Sequence, residues 1–216
     1  MIEFNQVSKR YVNGSDALSQ LNCTFAKGEI TFITGHSGAG KSTLLKLIAL
    51  MEKPTTGEII VNGQNLNKLK AKHIPKYRLG LGIAFQTPHL LPNSNIFANV
   101  ALPLQIQGLS ALTITKRVHT VLDWVGLLTK DKNMPADLSI GEQQRVGLAR
   151  AIVHKPNWLL ADEPTGNLDP ILSVEIMKML VQLKQVGVGV LIVTHDLALI
   201  AEQKHRILIL KGGRLC

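Results

Sequence analysis

The chain has 216 residues, 45% of them hydrophobic and 18% charged, with a formal net charge of +9. That length supports one sizeable core with room for an inserted lobe, and no apolar run approaches the roughly 18–20 residues that a membrane-crossing helix needs. Aromatic residues make up only 4% and no nucleic-acid motif is visible, so no nucleic-acid partner is expected.

The excess positive charge points to polyanionic company and leaves an anionic membrane surface or a merely solvated basic face open. Cys23 and Cys216 form no metal or redox spacing, so reduced thiols are the expectation. Met1 to Val7 alternates like a strand and has no signal-peptide core, which points to the cytosol.

In chain order, Ile2 to Val7 and Leu18 to Ala26 read as strands joined through the turn signals Asn13-Gly14-Ser15-Asp16. Tyr11 lies between them. Its ring is placed either to stack on a base, worth about 1–3 kcal/mol, or to serve as an ordinary strand-end tyrosine.

Glu29 to Thr34 is a short β-branched run. It leads into Gly35-His36-Ser37-Gly38-Ala39-Gly40-Lys41-Ser42-Thr43, and a helix-like run continues from Thr43 to Met51. Strand, glycine-rich loop and helix in that order mark a phosphate-binding loop fit for a triphosphate. The loop's N–H groups can turn inward around an anion, and the start of the helix adds its dipole. Lys41 is expected to reach the outer phosphates and Ser42 to ligate Mg²⁺.

The helix stops at Pro54, and Glu58 to Val61 reads as a strand closed by Asn62-Gly63. Lys68 to Arg78 is strongly basic and expected to be exposed. Gly82 to Phe85 then forms a strand that ends at Gln86, either a contact to metal-bound water or a plain loop amide. Beyond it Pro88, Pro92 and Pro103 punctuate the chain. Thr113 to Val125 has helical periodicity, with Ile114, Val118, Val121, Leu122 and Val125 on one face. Residues 87–154 therefore read as a mostly helical lobe inserted into an α/β body made of 1–86 and 155–216.

Near the end of that lobe, Ser139 and Glu142 form a capping box that opens a helix toward Val153. A serine and a glycine, Gly141, at an uncapped-looking helix start also make a second anion site. With one nucleotide to hold and two such helix starts, the second suggests service to another subunit.

Asn157 to Glu163 is an apolar run that ends in adjacent carboxylates, where an open α/β sheet places ligand chemistry. Because side chains alternate along a strand, Asp162 and Glu163 should point differently. Asp162 suits the Mg²⁺ shell, and Glu163 suits a base that orients and activates water. Asp169-Pro170 reads as an N-cap and first helical residue, with the helix running to about Gln185 and ending at Gly187. Val188 to Thr194 is another buried strand, which stops at His195. Its imidazole can hydrogen-bond a terminal phosphate and the water. Arg206 to Lys211 is the last strand.

Over essentially its whole length the sequence resembles the nucleotide-binding subunits of ABC ATPases. The specific part is the signature-type segment Leu138 to Gln143 in front of Asp162-Glu163. The phosphate loop with His36, Phe85-Gln86 with His89-Leu90-Leu91, Gly141 to Ala151 and Leu160 to Asp169 bring it near the cell-division branch of that family.

The resemblance implies an α/β P-loop NTPase fold of RecA-like type. A mostly parallel core sheet would be joined by an N-terminal antiparallel β-subdomain and an inserted helical subdomain. It also implies ATP and Mg²⁺ as cofactors and an ATP-dependent homodimer. Lys41, Glu163 and His195 would be catalytic, and Tyr11 would face adenine. Gln86 would link Mg²⁺ to the lobe. Ser139, Gly141 and Glu142 would stand at the γ-phosphate of the other subunit's ATP, and Asp169 would cross the interface.

An integral membrane protein partner follows from the same resemblance, with peripheral contact at the cytoplasmic face of the bacterial inner membrane at the division site. The segment Gln86 to Pro103 is the natural docking surface, with Leu90, Leu91, Ile96 and Phe97 either offered to the partner or, as is favoured for any one of them singly, packed inside the lobe. One departure stands out. Ile140 occupies a place where the family pattern has glycine, and its branched side chain is expected to restrict the backbone and weaken the phosphate cap.

Overall fold

A computed structural model describes residues 1–12, 14–166, 168–196, 200 and 204–216. In chain order these form β1 (Ile2–Arg10), β2 (Asp16–Phe25), β3 (Ile30–Thr34), α1 (Lys41–Ile48), β4 (Thr56–Val61), β5 (Gln64–Asn65), α2 (Ile74–Arg78) and β6 (Leu81–Ala84). There follow α3 (Ile96–Ile106), α4 (Ala111–Trp124), α5 (Ile140–Ile152), β7 (Trp158–Asp162), α6 (Pro170–Gln185), β8 (Gly189–Val193), β9 (Arg206–Lys211) and β10 (Arg214–Leu215).

The strands make two sheets. One is antiparallel, in the order β2-β1-β4-β5; the other runs β10-β9-β3-β8-β7-β6, with β9, β3, β8, β7 and β6 mutually parallel. Every residue of β3 and β8 is buried. That is why both read as unbroken apolar runs: a parallel strand covered on both faces has no side for water. This arrangement is the α/β P-loop fold with an antiparallel β-subdomain.

One apolar cluster lies between the two sheets and α1, joining Ile2, Phe4 and Phe25 to Leu44, Leu47, Ile48 and Leu191. A second fills the other side of the parallel sheet under α5 and α6, with Phe32, Leu148, Leu159, Ile176 and Leu180. A third is the core of the helical lobe, where Ile114, Val118, Leu122 and Val125 meet Ile96, Val100 and Val146. Helix α5 gives residues to both of the last two clusters, so it is packed to the sheet and to the lobe at once.

Two findings differ from the sequence reading. Helix α3, over Ile96–Ile106, contains Pro103, which locally reads as a stop. Ile96 is 0% exposed and Leu90 and Phe97 pack on the lobe core, so of the apolar residues expected to dock a partner only Leu91 is exposed. In addition, Ile140 is the first residue of α5 and is absent from the positive-φ positions. The backbone there is ordinary helix, open to a branched residue, so the expected backbone restriction does not arise.

Candidate active site

Gly40 ends the loop with φ 101° and caps α1 without a side-chain hydrogen bond, so the first N–H groups of α1 are left for an anion. A Cβ on Gly35 would lie 2.1 Å from the Leu210 carbonyl oxygen, and one on Gly40 would lie 2.2 Å from that of Ala17. Neighbouring backbone therefore fixes both positions as glycine, beyond any need for flexibility.

The loop lines a cleft of about 370 Å³ with Tyr11, Ser15, Ala17 and Glu163. Ser37, Gly38, Ala39, Gly40, Lys41, Ser42 and Thr43 all face it. His36 is exposed and is not among the residues that line the cleft; its Nδ1 is 2.7 Å from the Ser37 carbonyl oxygen. Lys41 Nζ donates to the carbonyls of Gly35 at 2.8 Å and His36 at 3.1 Å, which holds the ammonium over the loop. The Tyr11 hydroxyl is 3.3 Å from Thr43 Oγ1, and Lys9 Nζ lies 5.0 Å from the Tyr11 ring centre. The ring is thus fixed beside the loop by a cation and a hydroxyl.

Strand β7 delivers Asp162 to the start of α1, where Ser42 Oγ donates to Asp162 Oδ1 at 3.1 Å. Two oxygens each about 2.1 Å from an octahedral Mg²⁺ would stand about 3 Å apart at adjacent corners, so the pair fits that ion. Burial pushes the Asp162 carboxyl up, opposed by the Ser42 hydrogen bond and by Lys46 and Lys41, with Glu163 adding to the rise. Three-ligand groups of His, Cys, Asp and Glu do not occur among the described residues. An ion here would draw its other ligands from phosphate and water, as Mg²⁺ commonly does.

Glu163 follows directly and turns away, with φ 48°, in the left-handed region. For a non-glycine residue that costs of order 1 kcal/mol and has to be held by its surroundings. The Glu163 N–H donates to the Val193 carbonyl at 2.9 Å, and its own carbonyl accepts from Gly166 at 3.1 Å. His195 holds the carboxylate: its Nδ1 is 2.8 Å from Oε1, and its backbone N–H donates to Oε2 at 3.4 Å. Gln86 lies against Gly166, whose Cβ position is 2.8 Å from Gln86 Nε2 and 3.5 Å from Glu163 Cβ. Tyr11, Lys41, Ser42, Gln86, Asp162, Glu163 and His195 are therefore gathered at the carboxyl ends of the parallel strands, the expected ligand crevice of such a sheet.

Ser139, Gly141 and Glu142 are not part of this gathering. Ser139 Oγ accepts from the Glu142 N–H at 3.3 Å, and Glu142 Oε2 accepts from the Ser139 N–H at 3.0 Å. The start of α5 is thus closed by the capping box that the Ser139–Glu142 spacing predicts, in which the Ser139 hydroxyl is an acceptor. Lys130 pairs with Glu142 and is the main reason its carboxyl sits below the usual range. Asp169 caps α6, accepting from Ile171 and Leu172 at 3.0 Å each.

Two residues of α5 connect these parts, although the sequence reading assigned them no role. Gln144 is 6% exposed, and its Nε2 donates at 3.0 Å both to the Phe85 carbonyl, beside Gln86, and to the Pro164 carbonyl, beside Glu163. Arg150 donates to the carbonyls of Pro88 and His89 just beyond Gln86. A signal was present: Gln144 lies three positions after Gly141 and four before Leu148, on the buried stripe of its helix. A polar residue there must find partners.

Comparison with known proteins agrees with this geometry. The sequence model described as "ABC transporter" matches residues 18–166. The cell division ATP-binding protein FtsE of Escherichia coli K12 is 50% identical over 215 residues, covering 100% of this chain and 97% of that protein. FtsE of Bacillus subtilis is 44% identical over 213 residues, covering 99% of this chain and 93% of that protein. A bacterial ABC transporter cassette solved as a dimer superposes with a TM-score of 0.91 at 36% identity, over 100% of this chain and 96% of that one. A post-hydrolysis dimer of the same cassette bound to ADP and phosphate gives 0.89 at 35% identity, over 100% and 96%. Uncapped phosphate loop, Asp162–Ser42 pair, clamped Glu163 and full-length similarity together place this chain in the ABC transporter family of ATPases, among members that resemble FtsE.

Proposed function

We propose that this chain is the Mg²⁺-dependent ATP-hydrolysing subunit of a membrane-associated complex that regulates septal cell-wall remodelling in bacterial division. Its partner would be an integral membrane protein of the FtsX type. The identity of 50% to a cell-division ATPase, against 36% to a transporter cassette, favours this over export or lipoprotein release. The observation that carries the catalytic part is the carboxylate of Glu163, strained at its backbone and clamped by His195 beside the phosphate loop.

In this reading the amides of the loop and Lys41 hold the β- and γ-phosphates, and the Tyr11 ring takes the adenine face. Ser42 and Asp162 would hold Mg²⁺, with Gln86 reaching toward its shell, and the bound ion would supply neutralisation of charge on the phosphates. Glu163 orients the attacking water and accepts its proton. Because the Nδ1 of His195 is spent on Glu163, Nε2 is the nitrogen left for the γ-phosphate.

Two copies would close head to tail, with the Ser139–Gly141–Glu142 helix start of each covering the other's ATP and Asp169 near the shared face. In the capping box Ser139 Oγ only accepts, so its O–H is left to donate to that phosphate while the cap stays closed. Loss of the γ-phosphate then loosens the pair, and the membrane partner feels that motion.

Steady-state hydrolysis with Glu163→Gln tests the assignment. General-base loss should lower turnover about 10²–10⁴-fold while nucleotide binding, read by fluorescent ATP titration, is kept. Lys41→Ala should weaken binding itself. Parental turnover in Glu163→Gln, or hydrolysis indifferent to EDTA, would refute the reading. The partner is tested by co-purification from membranes, where a single FtsX-type protein is expected.

A further inference from the structure

A cavity lies at the other end of the parallel sheet. It measures about 480 Å³ and is lined by the first residues of β6 and β7, Leu81 and Trp158, together with Val61, Leu69, His73 and Lys76. Trp158 stands four residue steps before Asp162 on β7, about 13 Å at ~3.3 Å per residue, so the cavity is remote from the phosphate loop.

Three features give it chemistry. First, its floor is apolar, and no acid lines it. Second, its mouth is cationic. His73 and Lys76 stand on one side, and Lys27 donates to Asn157 Oδ1 at 3.0 Å on another. Lys68, Lys70 and Lys72 continue the same segment, and none of these lysines forms an ion pair among the described residues. Between Glu58 and Asp123 the sequence contains no Asp or Glu to neutralise them.

Third, the cavity rests on a tryptophan. Trp158 lines it and is 1% exposed. Atoms Cε3, Cζ3 and Cη2 of its ring cover Gly189, whose Cβ position lies 2.4–2.9 Å from them, so the indole is fixed beneath whatever fills the cavity.

We propose that this cavity and its lysine rim bind the head of an anionic phospholipid at a bilayer surface. The phosphate meets the cations at the mouth, and the first methylenes lie on Val61, Leu69 and Leu81, above Trp158. A nucleic acid would want exposed rings for stacking, and an acidic peptide would leave the apolar floor unused. The site would set the chain against the membrane independently of any protein partner.

The test uses the full chain with Trp124→Phe, which leaves Trp158 as sole tryptophan, and protein-free vesicles. Phosphatidylglycerol with brominated acyl chains should quench Trp158, and brominated phosphatidylcholine should not. One lysine near an anionic surface contributes about fivefold in binding, so Lys72→Glu with Lys76→Glu should weaken vesicle binding by at least about 25-fold, with ATP hydrolysis in solution unchanged.

Equal quenching by both lipids would overturn the proposal. So would vesicle binding with unaltered Trp158 emission, which would mean adsorption by charge alone. A response of Trp158 to inorganic phosphate or polyglutamate without lipid would equally overturn it. Because the vesicles carry no protein, failure here leaves the ATPase and membrane-partner readings untouched.

Discussion

Replacing Gln144 with leucine removes two hydrogen bonds and nothing else of comparable size. Both come from Nε2, at 3.0 Å to the carbonyls of Phe85 and Pro164. At a net of about 1 kcal/mol each, their loss costs about 2 kcal/mol. For a chain of this length each kcal/mol moves the midpoint by about 2–4 °C, so Tm should fall by about 4–8 °C.

The functional effect follows from what the two carbonyls adjoin. One is beside Gln86 and the other beside Glu163, and no bond from Gln144 reaches the phosphate loop. Turnover should therefore drop about tenfold, the cost of a modest misplacement of catalytic groups, while ATP affinity stays within about twofold. Gln144→Glu is the sharper control. It is nearly the same shape but cannot donate and faces two carbonyls with negative charge, so it should be worse than leucine in both respects. Thermal unfolding, ATPase kinetics and nucleotide titration on the two variants decide the matter. If glutamate is tolerated as well as leucine, or neither alters turnover, Gln144 does not couple these loops.

Gly40→Ala should abolish ATP binding with little change in the distant lobe. The added Cβ would stand 2.2 Å from the Ala17 carbonyl oxygen at a φ of 101°, so the loop must move; isothermal titration reads the loss. His154 should make stability acid-sensitive. Its Nε2 meets the Leu81 carbonyl at 3.0 Å, its buried Nδ1 has no partner among the described residues, and burial lowers its pKa below the ordinary value of about 6.5. A depressed folded pKa means its contribution is present above about pH 6.5 and is lost as pH falls through the lower, folded value. Urea unfolding across that window should show a slope that disappears in His154→Phe.

The parts of the site set by local rules were legible in the sequence. Gly35 to Thr43 between a strand and a helix, the Ser139–Glu142 box and the Asp169-Pro170 cap each depend on residues a few positions apart, and the two caps have the expected hydrogen bonds. What was missed depended on distant partners. Pro103 looks like a helix stop because it costs about 3 kcal/mol within one, yet Ile96, Val100, Ala101 and Leu104 are buried on the same helix and offset it. The pairing of β3 with β8 and β9, and the reach of Gln144 to two loops 59 and 20 residues away, are set by tertiary packing. Ile140 shows the reverse error. A rule about glycine was applied to a position that is 66% exposed and helical, where any residue suits the backbone.

Whether one nucleotide is shared by two copies is tested most directly by the light-scattering mass of Glu163→Gln with saturating Mg-ATP. Twice the chain mass of 23.6 kDa is expected, returning to the single mass when Ser139→Arg is added. A species that stays monomeric with ATP bound, or a dimer indifferent to Ser139→Arg, would contradict the account.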